Sequence, residues 1–177
     1  DVAENEKTLH LLGQSKGWLL SYALRGVLLA RLSLFRALGA TLRLSRASER
    51  GLIRHLAYLV EAVCLMAYLR TQRTEHVHVH FGTNAAAVAM LMKLRGGPSY
   101  SRAIHGPDEF DAPIGLSIGW KIRGALFTVA ITHYCDAQLR RWLSAADWQK
   151  LNIVGCTVGE EWFDAARPVR EGARDIV

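Results

Sequence analysis

The sequence lacks most of the signatures that would make its chemistry obvious. There is no GxGxxG dinucleotide pattern, no phosphate-loop lysine and no GxSxG elbow, so nicotinamide binding, ATP hydrolysis and serine hydrolysis lack their fingerprints. Cysteine is scarce: Cys64, Cys135 and Cys156 have neither the number nor the spacing of a disulfide framework or a clustered zinc site, which fits a reducing compartment. Uninterrupted apolar runs are missing too. WLLSYALRGVLLA is broken by Arg25, LAYLVEAVCLMAYL contains Glu61, and neither reaches the roughly 18 clean residues of a membrane span. The first ten residues are polar, with Glu4 and Glu6, and show no signal-peptide pattern.

What is present is a chain of 177 residues, half of them hydrophobic and 21% charged, sufficient for one domain with a sizeable core. The formal net charge of +6 and pI near 9.5 point to an anionic partner: a membrane, a nucleotide or a nucleic acid. Nucleic acid fits least, because the basic residues interleave with leucines and not with exposed aromatics, and no recognition motif is present.

The chain changes character near Arg70. Residues 1–70 read as a polar lead-in followed by basic amphipathic helices. One runs from Ser15 to about Leu44, with Gly26 and Gly39 as possible breaks. A second runs from Ser48 to Arg70, capped by Ser48, with Leu52, Leu56, Leu59, Val63 and Ala67 on one face. Arg25, Arg31, Arg36 and Arg43 beside the leucine rows suit an anionic bilayer; a solvated basic face is the plainer alternative.

Residues 71–163 alternate strand and helix. HVHVHF reads as a strand, NAAAVAMLMKL as a helix, SYSRAI as a strand and HGPDEFDAP as a loop. A helix over 116–127, the strand VAI, a helix over 133–143 and the strand KLNIV follow. This order implies an α/β fold, a Rossmann-like parallel sheet flanked by helices. Residues 164–177 lose the period and end in DIV, which resembles a strand beginning.

His76, His78 and His80 share one side of the first strand. Across four residues the spacing is roughly 13 Å, too far for one metal ion, so His76 and His78 read as packing against helices at the strand edge. His80 stands at the carboxyl end, where open α/β sheets bind ligands. Gly82 makes the turn, and Thr83 or Asn84 caps a helix whose free N–H groups suit a phosphate or carboxylate. His105 leaves the second strand at the same edge, and Gly106 lets a ligand approach the backbone. Asp108, Glu109 and Asp111 place three acids within four residues. His105 could bond a hydroxyl or phosphate and Asp108 a sugar hydroxyl, while capping is the alternative for Asp108 and Asp111.

The ordered set HVHFGTNAA, AIHGPDEFD, KIRGALFTVAITHYCDAQLRRWL and ADWQKLNIVGCTVGEEWF resembles the amino-terminal domain of glycosyltransferase family 4. The likeness is greatest to bacterial exopolysaccharide and colanic-acid-type enzymes, and RHLAYLVEAVCLMAYLR looks like the region before their strand. It covers about 130 residues, most tightly 78–163. The resemblance implies half of a GT-B fold, with the acceptor on this half and a nucleotide-sugar co-substrate mainly on a carboxyl-terminal donor-binding domain. It also implies transfer with retained configuration, a lipid-linked or polysaccharide acceptor, no metal or other cofactor, and a cytoplasmic, peripheral place at the inner membrane face. His105 would lie by the transferred sugar, with Gly106 shaping its loop and Asp108 contacting acceptor or sugar. Thr132 stands where the family often has serine, and Gly82 lies by the interdomain crevice. The family's opening strand and glycine-rich loop have no counterpart here, and its donor-site motifs are absent. The chain is therefore expected to be a fragment or shortened relative that transfers little sugar alone. A non-catalytic module binding glycan or anionic membrane is the alternative.

Overall fold

A computed structural model describes residues 8–29, 31–157 and 159. The expected strand at 175–177 and the linker from 164 lie outside the described residues, as do the side chains of Arg31 and Asp108.

Helix α1 spans Lys16–Leu29, α2 Arg31–Ala47 and α3 Gly51–Thr71. Then come β1 His76–His80, α4 Asn84–Leu94, β2 Ser99–Ile104, α5 Pro107–Asp111 and α6 Ile118–Gly124. Strand β3 Thr128–Ala130, α7 His133–Arg140, a 3-10 segment Ala145–Lys150 and β4 Leu151–Ile153 are the last elements among the described residues. The four strands are parallel and lie in the order β1-β2-β3-β4.

This monotonic order settles where the helices go. Parallel crossovers are right-handed, so steps taken always in one direction place every connecting helix on one face. Val77, Val79 and Tyr100 meet α3 and α4 there, forming a core with Ala62, Met66, Leu91 and Met92. Ile104, Ala130 and Leu151 meet α6 and α7 through Ile118, Ile122 and Leu139. The other face carries His76, His78 and His80, all exposed, with Asn152. His76 and His78 therefore do not pack against helices as expected. They bond serines on the neighbouring strand: His76 Nδ1 meets Ser99 Oγ at 2.9 Å, and His78 Nδ1 meets Ser101 Oγ at 2.7 Å. Phe127 stacks parallel to His76 at 6.1 Å.

The amino-terminal helices differ from expectation in four ways. Neither glycine breaks the first run: Gly26 lies inside α1 and Gly39 inside α2. Gly26 is where α1 crosses α3, and a Cβ there would strike the Val63 side chain and carbonyl. Ser48 does not bond a first-turn amide of α3. Its hydroxyl accepts from Arg50 N at 3.3 Å, and Arg50 occupies the cap position. Leu52 and Leu56 are exposed, because α1 covers only the later part of that face; Leu59, Val63 and Ala67 are buried. With 21 residues and a mean hydropathy of 1.5, α3 is long and apolar enough to cross a membrane, contrary to the reading of its sequence. Its packing against α1, α2 and α4 makes it the central helix of the core instead.

Two further elements shift. The loop HGPDEFDAP contains the short helix α5, begun by Pro107, and the helix expected over 116–127 is confined to Ile118–Gly124.

Candidate functional site

The carboxyl ends of β1 and β2 bring two imidazoles together. His80 ends β1 and His105 follows β2, and the register His80↔Ala103 sets them side by side. His80 Nδ1 lies 2.9 Å from His105 Nε2, and the Phe81 ring lies 4.9 Å from that of His105. Because one nitrogen must donate and the other accept, two neutral rings leave one donor and one acceptor at His80 Nε2 and His105 Nδ1. Either tautomer assignment gives that result. A sugar hydroxyl, itself both donor and acceptor, matches it. His78 stands behind, its ring 5.2 Å from His80. Desolvation first, and then the neighbouring His80, His76 and His105, hold its imidazole below the ordinary range.

The backbone carrying these rings is held from beneath. Glu109 is almost fully buried; its Oε2 accepts from His105 N at 2.9 Å and its Oε1 accepts from Gly82 N. Arg102, 0% exposed, places Nη2 3.9 Å from Glu109 Oε1, and burial lowers its pKa. Lys121 reaches the same turn from α6, donating to Gly82 O at 2.9 Å and Thr83 O at 2.7 Å. Burial, then the charges of Arg102 and Arg50, pull its pKa down to about 7 against the weaker opposing pull of Glu109. Phe81 adopts φ of 67°, an uncommon conformation for a side chain this large, and the bonds to Gly82 and Thr83 hold the turn that requires it. Arg102 and Lys121 were not singled out from the sequence. An arginine in an otherwise buried strand, SYSRAI, was the available signal.

The other expected residues have these surroundings. Glu109 turns into the core, where both its oxygens accept from backbone amides. Thr132 caps α7, its Oγ1 accepting from Cys135 N at 3.0 Å. Thr83 occupies the cap position of α4 without capping it; its hydroxyl donates to Asn84 Oδ1 at 2.9 Å. Gly106 begins α5 in extended backbone, with open space where a Cβ would stand. Gly82 is buried tightly over Arg102 and Glu109. Asp108 lies on the backbone of α5, and Asp111 at its end is exposed.

From Thr83 a cleft of about 760 Å³ extends between the α2–α3 turn and the segment after α5. Arg50, Asp111, Gln138, Arg141 and Trp142 line it together with apolar residues. Such a mixture of ring, amide and opposite charges suits a polar ligand with one flat, apolar side.

No group of three or more His, Cys, Asp or Glu that could hold a metal occurs among the described residues. When the chain is compared with protein-family models, curated proteins and solved structures, nothing matches.

Proposed function

We propose that this chain is the acceptor side of a retaining glycosyltransferase. It would move sugar from a nucleotide-sugar to a lipid-linked or polysaccharide acceptor in cell-surface polysaccharide synthesis. The observation that carries the reading is the His80–His105 pair at the carboxyl edge, offering one donor and one acceptor from a braced turn. Hydroxyl-rich ligands need that alternation. In this reading the cleft beside Thr83 receives the acceptor, with Trp142 available for a sugar's apolar face and Gln138 for its hydroxyls. His105 contacts the transferred sugar, and His80 positions it. The donor's nucleotide and diphosphate are held mainly by a further domain.

The test is binding and turnover measured on one preparation. Residues 1–177 are expected to bind an oligosaccharide acceptor by calorimetry, with binding weakened in His105→Ala, and to turn over nucleotide-sugar negligibly. Full turnover by this chain alone would overturn the half-site arrangement. Absence of any glycan binding would overturn the acceptor reading. A second reading, a glycan-binding module without transfer, draws on the withdrawal of Glu109 from the mouth of the site. Failure to transfer sugar when a donor-binding domain is supplied, with glycan binding intact, would favour it.

A further inference from the structure

Each of helices α1–α3 leaves large apolar side chains exposed. Leu24 and Leu28 on α1, Phe35 and Leu42 on α2, and Ile53 and Val60 on α3 are all exposed, Phe35 by 74% and Ile53 by 85%. Their spacings are four and seven residues, so each pair lies along one stripe of its helix. The same helices and the turns between them, residues 16–71, carry nine Lys/Arg against Glu49 and Glu61. A groove of about 430 Å³ runs between α1 and α3, walled by Leu28, Leu29 and Ala67 and flanked by Arg25, Arg70 and Thr71. Arg70 is steadied there by donating to Gly96 O at 3.0 Å.

We propose that α1–α3 form a docking surface for an anionic phospholipid bilayer, with an acyl chain entering the Leu28–Leu29–Ala67 groove and Arg25 and Arg70 meeting the phosphate. Charge decides the occupant. A second copy would bring a surface of the same strong positive sign, and the two would repel. An anionic lipid interface supplies both parts at once, negative charge at headgroup depth and hydrocarbon just below it. Arginine stems lie along apolar surface while their heads remain at the phosphates. Arg36 and Arg54 are exposed and free to act so. Arg43 is exposed too, but its guanidinium is engaged 4.5 Å over the Trp120 ring. Of the four arginines expected from the sequence, Arg25 and Arg36 are exposed, Arg43 is engaged by Trp120, and the Arg31 side chain lies outside the described residues; Arg54 and Arg70 join the set. This inference stands apart from sugar transfer and fails or holds without it.

Cosedimentation with vesicles tests it, using phosphatidylcholine alone or with about a third phosphatidylglycerol. The chain is expected to sediment with the anionic vesicles and at least tenfold less with the neutral ones. Leu28→Glu with Ile53→Glu, and separately Arg25→Gln with Arg36→Gln, should each reduce the bound fraction severalfold while circular dichroism stays unchanged. The arginine pair is exposed and guards against misreading a misfolded leucine variant. Equal binding to both vesicle types, no binding, or binding unaltered in both variants would overturn the proposal. So would a stable lipid-free dimer that shields Leu28 and Ile53 from labelling at cysteines placed there.

Discussion

His80 Nδ1 and His105 Nε2 face one another at 2.9 Å, joining residues 25 positions apart in sequence across the ends of neighbouring strands. The contact requires that at least one of the two facing nitrogens carry no proton. When both rings are cationic it must open. Removing His105 takes away the anchor of His80 and, in the proposed reading, a contact to the sugar. In a chain competent for transfer, His105→Ala is therefore expected to lower kcat/KM by about 100-fold, and His80→Ala by about tenfold. His80→Asn, whose amide can still bond His105, should recover part of the loss. Steady-state kinetics of the three variants checks the order.

A side chain at Gly82 would have to displace two buried, charged neighbours. A Cβ would occupy the space of the Arg102 guanidinium and the Glu109 carboxylate. Gly82→Ala is expected to destabilise the fold by about 2 kcal/mol or more, read as a lower urea midpoint.

Glu109→Gln should cost more. It leaves the Arg102 guanidinium, already without a hydrogen-bonded side-chain partner, as an uncompensated charge in the core. Breaking a buried pair from one side costs about 3–5 kcal/mol. The double variant Arg102→Met/Glu109→Gln is expected to recover much of that loss, a double-mutant cycle being the measurement.

Lys121 makes stability depend on pH in a definite direction. Its folded pKa, about 7, lies below the ordinary value of 10.5, so the folded state binds fewer protons between them. Its contribution is complete above about 10.5 and is lost as pH falls through about 7. Stability relative to Lys121→Met should rise with a slope of at most about 1.4 kcal/mol per pH unit across that window. Urea titrations at several pH values measure it; a flat difference would contradict the assignment.

Arg43→Met separates the two faces of α2. It removes the stack on Trp120 and should cost about 0.5–1 kcal/mol of stability, while leaving vesicle binding close to the parent's.

Much of the sheet could be read from the chain. SYSRAI and NAAAVAMLMKL match β2 and α4 residue for residue, and HVHVHF overruns β1 by Phe81 alone, because β-branched alternation and a clean small-residue helix leave little room for another period. The position of His80 and His105 at one edge followed from strand ends alone. What could not be read was orientation across the sheet. Period two shows that three histidines share a face, but not which face the helices take. The fate of Glu109 was hidden for a related reason. An acid in a loop beside a histidine looks like a ligand contact until Arg102, from the buried strand that leads into the loop, is seen beneath it. Likewise, the exposure of Leu52 and Leu56 depends on where α1 stops covering α3, which periodicity within α3 does not contain.

The unidirectional strand order also bears on how the molecule is made. Each strand finds its partner roughly two dozen residues back, across a single crossover, and none waits for a later segment to be inserted between them. A chain leaving the ribosome can therefore lay β2 on β1, then β3 on β2, then β4 on β3, each completed strand serving as the template for the next. Its order of synthesis and the order of its strands across the sheet are the same.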